Sequence, residues 1–460
     1  MPAEGSVGTT VAVPTHTQEL TGWGRNPTSA AAVADPISAD EVAALLERAG
    51  PRGVIARGLG RGYGDGAQNA GGTVAETEFL DSIRLDPASG VVTASGGTSL
   101  DSLMRALVPR GFFVPVTPGT RQVSVGGAIA ADIHGKNHHK RGSWCCHVES
   151  MRLSTPKGVV DVTPDNDPEL FWATAGGMGL TGVVLEATFR CPRIETSRLL
   201  VDTRRAADLG AVMAIMDETD ADYDYTVAWI DLVARGRSLG RSVLGSGRFA
   251  RLDELDPHER EPLAFEPSLQ IPTPPWAPSG LLNRLSIRAF NELWFRKSPV
   301  ERVDELQSIS QFFHPLDMFG HGWNRMYGRR GFLQWQFVVP YGAEETLRHV
   351  VETLSSTGCA SFLAVLKRFG EGDPGPLSFP MPGWTLALDI PVSTGIAEIL
   401  DRLDDDVAAV GGRVYLAKDS RLRPESLPRM YPRLDEFRAV KARVDPDGVL
   451  QSDLARRLAI

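Results

Sequence analysis

Apolar positions recur with helical spacing in some stretches of the chain and gather into short runs in others. Residues 38–49 place Val42, Leu45 and Leu46 on one helical face, with Ser38 and Glu41 at capping-box spacing. Residues 53–57 read as a strand entering a glycine-rich loop, 90–94 as a second short strand, and 99–107 as the helix after it. The apolar stretch 114–133 is punctuated by Gly119, Gly126 and Gly127, and 171–189 passes from a helical turn through a glycine loop into a strand. Strands and helices interleave in this first lobe, which ends near Pro192. Residues 196–410 carry several amphipathic helix and strand patterns, an α+β signature whose strand order periodicity does not give. A strand-like run at 412–417 and a helix at 434–443, closed by a turn at 445–448, complete the chain.

One segment breaks the pattern. Residues 261–291 (EPLAFEPSLQIPTPPWAPSGLLNRLSIRAFN) are rich in Pro and Leu and suit an exposed loop with apolar tips, either a disordered insertion or a functional flap. No fixed-period repeat stands out, which removes solenoids and propellers.

Length turns these elements into an architecture. A chain of 460 residues exceeds one typical core, so two lobes are expected, and 42% hydrophobic with 23% charged residues is ordinary for a chain with a large core. The formal net charge of −9 argues against nucleic acid as a partner. Four cysteines, two of them the adjacent Cys145 and Cys146, make a poor disulfide framework. The first 20 residues lack a basic head followed by an apolar run and read as a flexible lead rather than a signal peptide. No stretch reaches the roughly 18 apolar residues of a membrane span, so any membrane contact is peripheral.

The candidate chemistry begins at VIARGLGRGYGD (54–65), where a strand delivers Gly58, Gly60, Gly62 and Gly64 into a tight loop. Backbone N–H groups without a Cβ in the way can close on a pyrophosphate, though an ordinary glycine turn has the same composition. The glycines alternate and no acidic residue follows at the proper distance, which disfavours the dinucleotide fingerprint and NAD. TPGT (117–120) with SVGGAIAADIH (124–134) offers further backbone donors, and GGMGLTGVV (176–184) a surface for an adenine or isoalloxazine edge. HGKNHH (134–139), with Cys145, Cys146 and His147 behind it, raises a metal site, but the spacing fits no common zinc pattern and no metal is expected. In YLAKDSR (415–421), Lys418 reads as a solvated strand end, an ion pair with Asp419, or a catalytic amine with a lowered pKa.

Taken in order, VIARGLGRGYGD, TPGTRQVSVGGAIAADIHGKNHH, FWATAGGMGLTGVV and YLAKDSR resemble the vanillyl-alcohol-oxidase type of FAD flavoproteins. Within it they are most similar to the branch that oxidises polyprenylphosphoryl ribose. LTGWGR, FFHPLDMFG (312–320), FLQWQFVVP (332–340), LSFPMPGW (377–384) and YPRLDEF extend the likeness over nearly the whole chain. The resemblance implies an α+β, two-domain FAD-binding fold of the PCMH type with an inserted substrate domain on an antiparallel sheet. The implied borders are a flexible lead 1–19, an FAD-binding domain 20–195, a substrate domain 196–412 with a mobile loop at 261–291, and a segment 413–460 returning to the FAD domain.

It further implies that Ala56, Arg57, Gly58, Leu59, Gly60, Arg61, Gly62, Tyr63, Gly64 and Asp65 meet the pyrophosphate. Gly119, Ser124, Val125, Gly126, Gly127, Ala131, Asp132, Ile133 and His134 would run along the flavin, and Gly179, Gly182, Val184 and Tyr415 would complete the pocket. Lys418, with Tyr63 and His134, would be catalytic, taking the proton of a ribose 2'-hydroxyl as hydride leaves carbon 2. Lys136, Trp229, Gln334, Gln336, Lys367 and Ala387 would face the substrate, and Lys136 and Lys367 would meet its phosphodiester. FAD is expected without a covalent bond. An NADH-dependent reductase of the 2'-keto product would be the partner, the pair making the arabinose donor of cell-wall arabinan. A cytoplasmic, plasma-membrane or cell-envelope location fits the branch. At Ala387 and Thr385 many relatives carry cysteine and asparagine, which bears on pocket polarity. The rival readings are an aldonolactone or alditol oxidase on the same scaffold, producing hydrogen peroxide, and a catalytically silent lipid-phosphate-binding protein.

Overall fold

The computed structural model describes residues 13–265, 283–357, 361 and 363–460. Their strands form three sheets. The first contains β1 (Thr15–Thr21), β2 (Thr28–Ala34), β3 (Val54–Arg57) and β4 (Thr73–Glu76) in the order β1-β2-β4-β3. β1 and β2 are antiparallel, whereas β4 runs parallel to both β2 and β3. The helix Ala39–Glu47 makes the crossover from β2 to β3 that parallel pairing needs. Ser38 caps it by accepting from the Glu41 N–H at 3.2 Å, while the Glu41 carboxylate accepts from Ile37 instead of closing a full capping box. Residues 15–19, expected in the flexible lead, instead form most of β1. Their side chains are exposed and polar, so only backbone pairing with β2, invisible in the hydrophobic pattern, orders them.

The second sheet holds β5 (Ile83–Leu85), β6 (Val91–Ser95), β7 (Val148–Thr155), β8 (Gly158–Val162) and β9 (Val183–Arg190), ordered β5-β6-β9-β7-β8. The helices Leu100–Leu107 and Val125–Ala130 are each capped by a serine, Ser99 and Ser124.

The third sheet has eight strands: β10 (Arg198–Ala206), β11 (Tyr225–Ile230), β12 (Ser242–Phe249), β13 (Glu301–Ser308), β14 (Phe332–Pro340), β15 (Ala364–Phe369), β16 (Gly383–Pro391) and β17 (Arg413–Val414). Their order is β13-β10-β12-β11-β15-β16-β14-β17, antiparallel at every pairing. β14 and β16 are buried along all but their last residue, because one face meets the helices Glu344–Thr357 and Ile396–Ala409 and the other meets the cavity described below. That explains their nearly unbroken apolar runs.

Two expectations need correction. Of the loop expected at 261–291, residues 266–282 lie outside the described residues, but 284–291 are the first half of the helix Arg284–Lys297. No proline follows Pro278 there, and Asn283 caps the helix by accepting from Leu285 and Ser286. The strand-like run 412–417 shrinks to the two residues of β17, which pair with β14, so the C-terminal segment starts inside the third sheet. Leu416–Lys418 turn away as a 3₁₀ helix. Farther on, Val54 donates to the Val449 carbonyl at 2.7 Å and Gln451 donates to that of Val54 at 3.0 Å, so residues 449–451 flank β3. Among the described residues no helix is long and apolar enough to cross a membrane.

Candidate active site

A cavity of about 980 Å³ opens between the loop after β3, the segment 117–136 and the face of the third sheet. Its shape depends on close backbone packing. A Cβ on Gly58 would stand 2.1 Å from the Ser124 Oγ, and one on Gly64 1.7 Å from the Asp419 carbonyl. Only glycine lets these segments meet. Tyr63 donates its N–H to the Ala417 carbonyl at 3.0 Å, which ties the glycine loop to the turn that carries Lys418. LTGWGR docks on the other side of the loop, where Trp23 and Gly24 donate to the Gly62 and Tyr63 carbonyls at 2.8 and 3.1 Å. The Arg61 guanidinium lies 4.1 Å from the centre of the Trp23 ring.

The electrostatics of the cavity come from buried amines. Lys418 Nζ sits 5.5 Å from the centre of the Tyr63 ring. Burial pulls its pKa down to about 8, against the pull of the Asp389 carboxylate. Asp389 is buried in β16, accepts from Gln334 at 2.5 Å and from the Tyr327 hydroxyl at 3.2 Å, and is raised to about 6 by burial. Burial, then Lys418 and Lys136, hold Lys367 well below its usual range, and burial takes Lys136 to about 7. The Lys136 ammonium donates to the Phe312 carbonyl and lies 4.1 Å from the centre of that residue's ring. Burial and Asp389 push the Tyr63 phenol well up, so it is a neutral donor at ordinary pH.

His134 is packed among Phe369, Phe379 and Tyr415 with ring centres 4.8, 5.5 and 5.1 Å away. Burial, then Lys367 and Lys418, keep its ring neutral. The Gln336 amide nitrogen donates to His134 Nε2 and to Thr385 Oγ1, each at 2.9 Å. The ring proton therefore sits on Nδ1, which is buried with no hydrogen-bond partner among the described residues.

Most of the residues singled out from sequence line this one cavity. They are Ala56, Gly58, Leu59, Gly60, Arg61, Gly62 and Tyr63 from the first loop, with Gly119, Ser124, Gly126, Gly127, Ala131, Ile133 and His134 beside them. Gly179, Gly182, Val184 and Tyr415 also line it, as do Lys136, Trp229, Gln334, Lys367, Ala387 and Lys418. Six others do not. Arg57 turns away to Glu76 and the Thr21 and Ala67 carbonyls, and Gly64 is pressed against Asp419. Asp65 pairs with Arg457 at 2.8 Å, and Val125 is core. Asp132 accepts from the Cys145 N–H and the Ser378 hydroxyl, and Gln336 stands behind His134. These six shape the wall from behind. Sequence reasoning missed Asp389 and Tyr327. A lone carboxylate in the apolar run GWTLALDIP was the available signal for Asp389. Among the described residues, no group of three His, Cys, Asp or Glu side chains could hold a metal ion.

The arrangement fits FAD. The volume suits a large cofactor with part of a substrate, a glycine loop offers unobstructed backbone donors, and the unpartnered Nδ1–H of His134 belongs to a residue on the cavity wall. Residues 30–163 match the FAD binding domain family, and residues 388–458 match the D-arabinono-1,4-lactone oxidase family. Decaprenylphosphoryl-β-D-ribose oxidase of Mycolicibacterium smegmatis is 45% identical over 98% of this chain and 99% of its own. The chain belongs to the decaprenylphosphoryl-β-D-ribose oxidase family. An uncharacterized protein of Streptomyces coelicolor is 43% identical over 79% of the chain and 100% of its own. L-gulono-1,4-lactone dehydrogenase of Mycobacterium tuberculosis is 24% identical over 93% and 95%. As a member of the oxidase family the protein is an FAD-dependent oxidoreductase acting on CH–OH groups, with the two-domain fold of the vanillyl-alcohol-oxidase type and FAD bound noncovalently.

Proposed function

We propose that the protein oxidises the 2'-hydroxyl of decaprenylphosphoryl-β-D-ribose to the 2'-keto compound, the first half of an epimerisation that makes the arabinose donor for cell-wall arabinan. The observation that carries this reading is Lys418, a buried amine with a pKa of about 8 at the wall of a glycine-lined cavity. FAD supplies the hydride acceptor when bound. Lys418 in its neutral form accepts the hydroxyl proton, and Tyr63 beneath it excludes water and holds the amine in place. Asp389 keeps that amine basic enough to act, since burial alone would depress it further.

Ala56 and residues 58–63 would surround the pyrophosphate, and His134 would offer its Nδ1–H to the cofactor. Lys367 and Lys136 draw the substrate phosphodiester inward, because an anion restores the charge that burial removes from them. Gln334, Trp229 and Ala387 border the sugar, with Ala387 leaving room beside Gln336, its partner across β14 and β16. The ketone must be reduced to complete an epimerisation, so an NADH-dependent reductase is the functional partner. The protein meets the membrane peripherally, where its lipid substrate resides.

An anaerobic absorbance spectrum tests the reaction. A prenylphosphoryl ribose should bleach the flavin band near about 450 nm, and Lys418→Ala should abolish bleaching with FAD retained. The match of 388–458 to a lactone oxidase family favours a second reading, an aldonolactone oxidase. Bleaching by an aldonolactone but not by the prenylphosphoryl ribose would establish that reading instead.

A further inference from the structure

The helix Arg284–Lys297 buries only Ile287 and Asn291. Asn291 anchors it by donating to Asp231 at 2.7 Å, and Glu292 pairs with Arg241 at 2.7 Å. Its outward side carries two leucines beside Arg296. Leu285 and Leu293 are 78% and 68% exposed, and Trp294, half a turn round the helix from Leu285, is exposed on the side that borders the cavity. Among the described residues nothing covers these leucines, and exposed hydrophobic surface drives association. Val300 and, on the edge strand β13, Val303 and Leu306 are exposed as well. Trp294 and Leu306 both line the cavity, so this apolar surface surrounds its mouth.

Charge selects the partner. Arg284, Arg288, Arg296 and Lys297 lie along the helix, on a chain whose formal net charge is −9. Glu292 is matched by Arg241 and Arg296, which leaves Arg284, Arg288 and Lys297 in surplus on the helix, whereas β13 carries Glu301, the exposed Asp304 and Glu305 against Arg302 and adds no positive charge. Exposed leucines and a tryptophan on a helix with surplus cations are features that suit the interface of an anionic bilayer. Each Lys or Arg near such a surface adds about 1 kcal/mol in low salt.

We infer that the helix Arg284–Lys297 forms a surface that docks the cavity mouth onto an anionic lipid bilayer. The inference rests on the proposed function in one respect: a polyprenyl tail stays in the bilayer, so the mouth must reach the headgroups to receive its sugar. Docking itself needs only the exposed side chains.

Flotation of the full-length FAD-loaded protein tests it, with vesicles of phosphatidylcholine alone or mixed with phosphatidylglycerol. Binding is expected on the anionic vesicles, with loss at high salt. The pair Leu285→Asp and Leu293→Asp should lower it by at least about tenfold, since two exposed leucines that would enter the bilayer become charged. The pair Arg288→Glu and Lys297→Glu, all exposed positions, should weaken it similarly and guards against misfolding of the first. Both variants should keep wild-type flavin bleaching by a short-chain, soluble prenylphosphoryl ribose. Equal binding to neutral vesicles, no binding to anionic ones, or undiminished binding by both variants would overturn the inference. If no prenylphosphoryl ribose bleaches the wild-type flavin but flotation follows this pattern, the docking surface stands and the substrate assignment falls.

Discussion

Replacing Asp389 by asparagine isolates the charge that tunes Lys418. Two influences set that amine: burial lowers its pKa and the Asp389 carboxylate raises it, with a result of about 8. Asp389 has a pKa of about 6, so it is ionised where the amine titrates. Asparagine keeps the shape and an oxygen for Gln334 but removes the charge, so the Lys418 pKa must fall below its present value. At pH 7 an amine with a pKa of about 8 is neutral in roughly one molecule in ten, so Asp389→Asn raises the neutral fraction there by at most about tenfold.

The sign follows from the role of the base. Substrate oxidation needs neutral Lys418, so the wild-type rate falls as pH drops below about 8. In the variant this acid limb moves to lower pH, and the plateau at high pH drops because a weaker base accepts the proton less readily. Single-turnover absorbance of the flavin, followed from about pH 6 to about pH 9.5 with matched FAD content, reads both effects. A limb that stays in place or moves to higher pH would refute the assignment of Asp389 as the group that holds Lys418 up.

Gly64→Ala should destabilise the FAD-loaded protein by about 3 kcal/mol and speed FAD release, because its Cβ would fall 1.7 Å from the Asp419 carbonyl. Urea unfolding and the rate of flavin fluorescence recovery check the two effects. Thr385→Val removes the hydroxyl that accepts from Gln336 and donates to the Phe337 carbonyl, both at 2.9 Å. A stability loss of about 1–3 kcal/mol in urea unfolding is expected, recovered in part by Thr385→Ser.

The glycine loop at 58–64, the second glycine region and the helices read at 38–49 and 99–107 were legible in the sequence because each depends on residues a few positions apart. The ordered motifs also pointed to the family, since several local signals in a fixed order are specific where one is not. Tertiary structure alone decided the rest. β1 is ordered by backbone pairing that leaves its polar side chains in solvent, and Lys418 sits on a 3₁₀ turn closed by its N–H donating to the Tyr415 carbonyl and tied to the glycine loop by Tyr63. Asp389, Gln334 and Lys418 meet only when β16 pairs with β14 in one register and the C-terminal segment crosses them. Periodicity records which side of an element is buried, and local spacing records its caps and turns. The field at Lys418 is set by groups dozens of residues away, brought within reach only by the packing of sheet against loop.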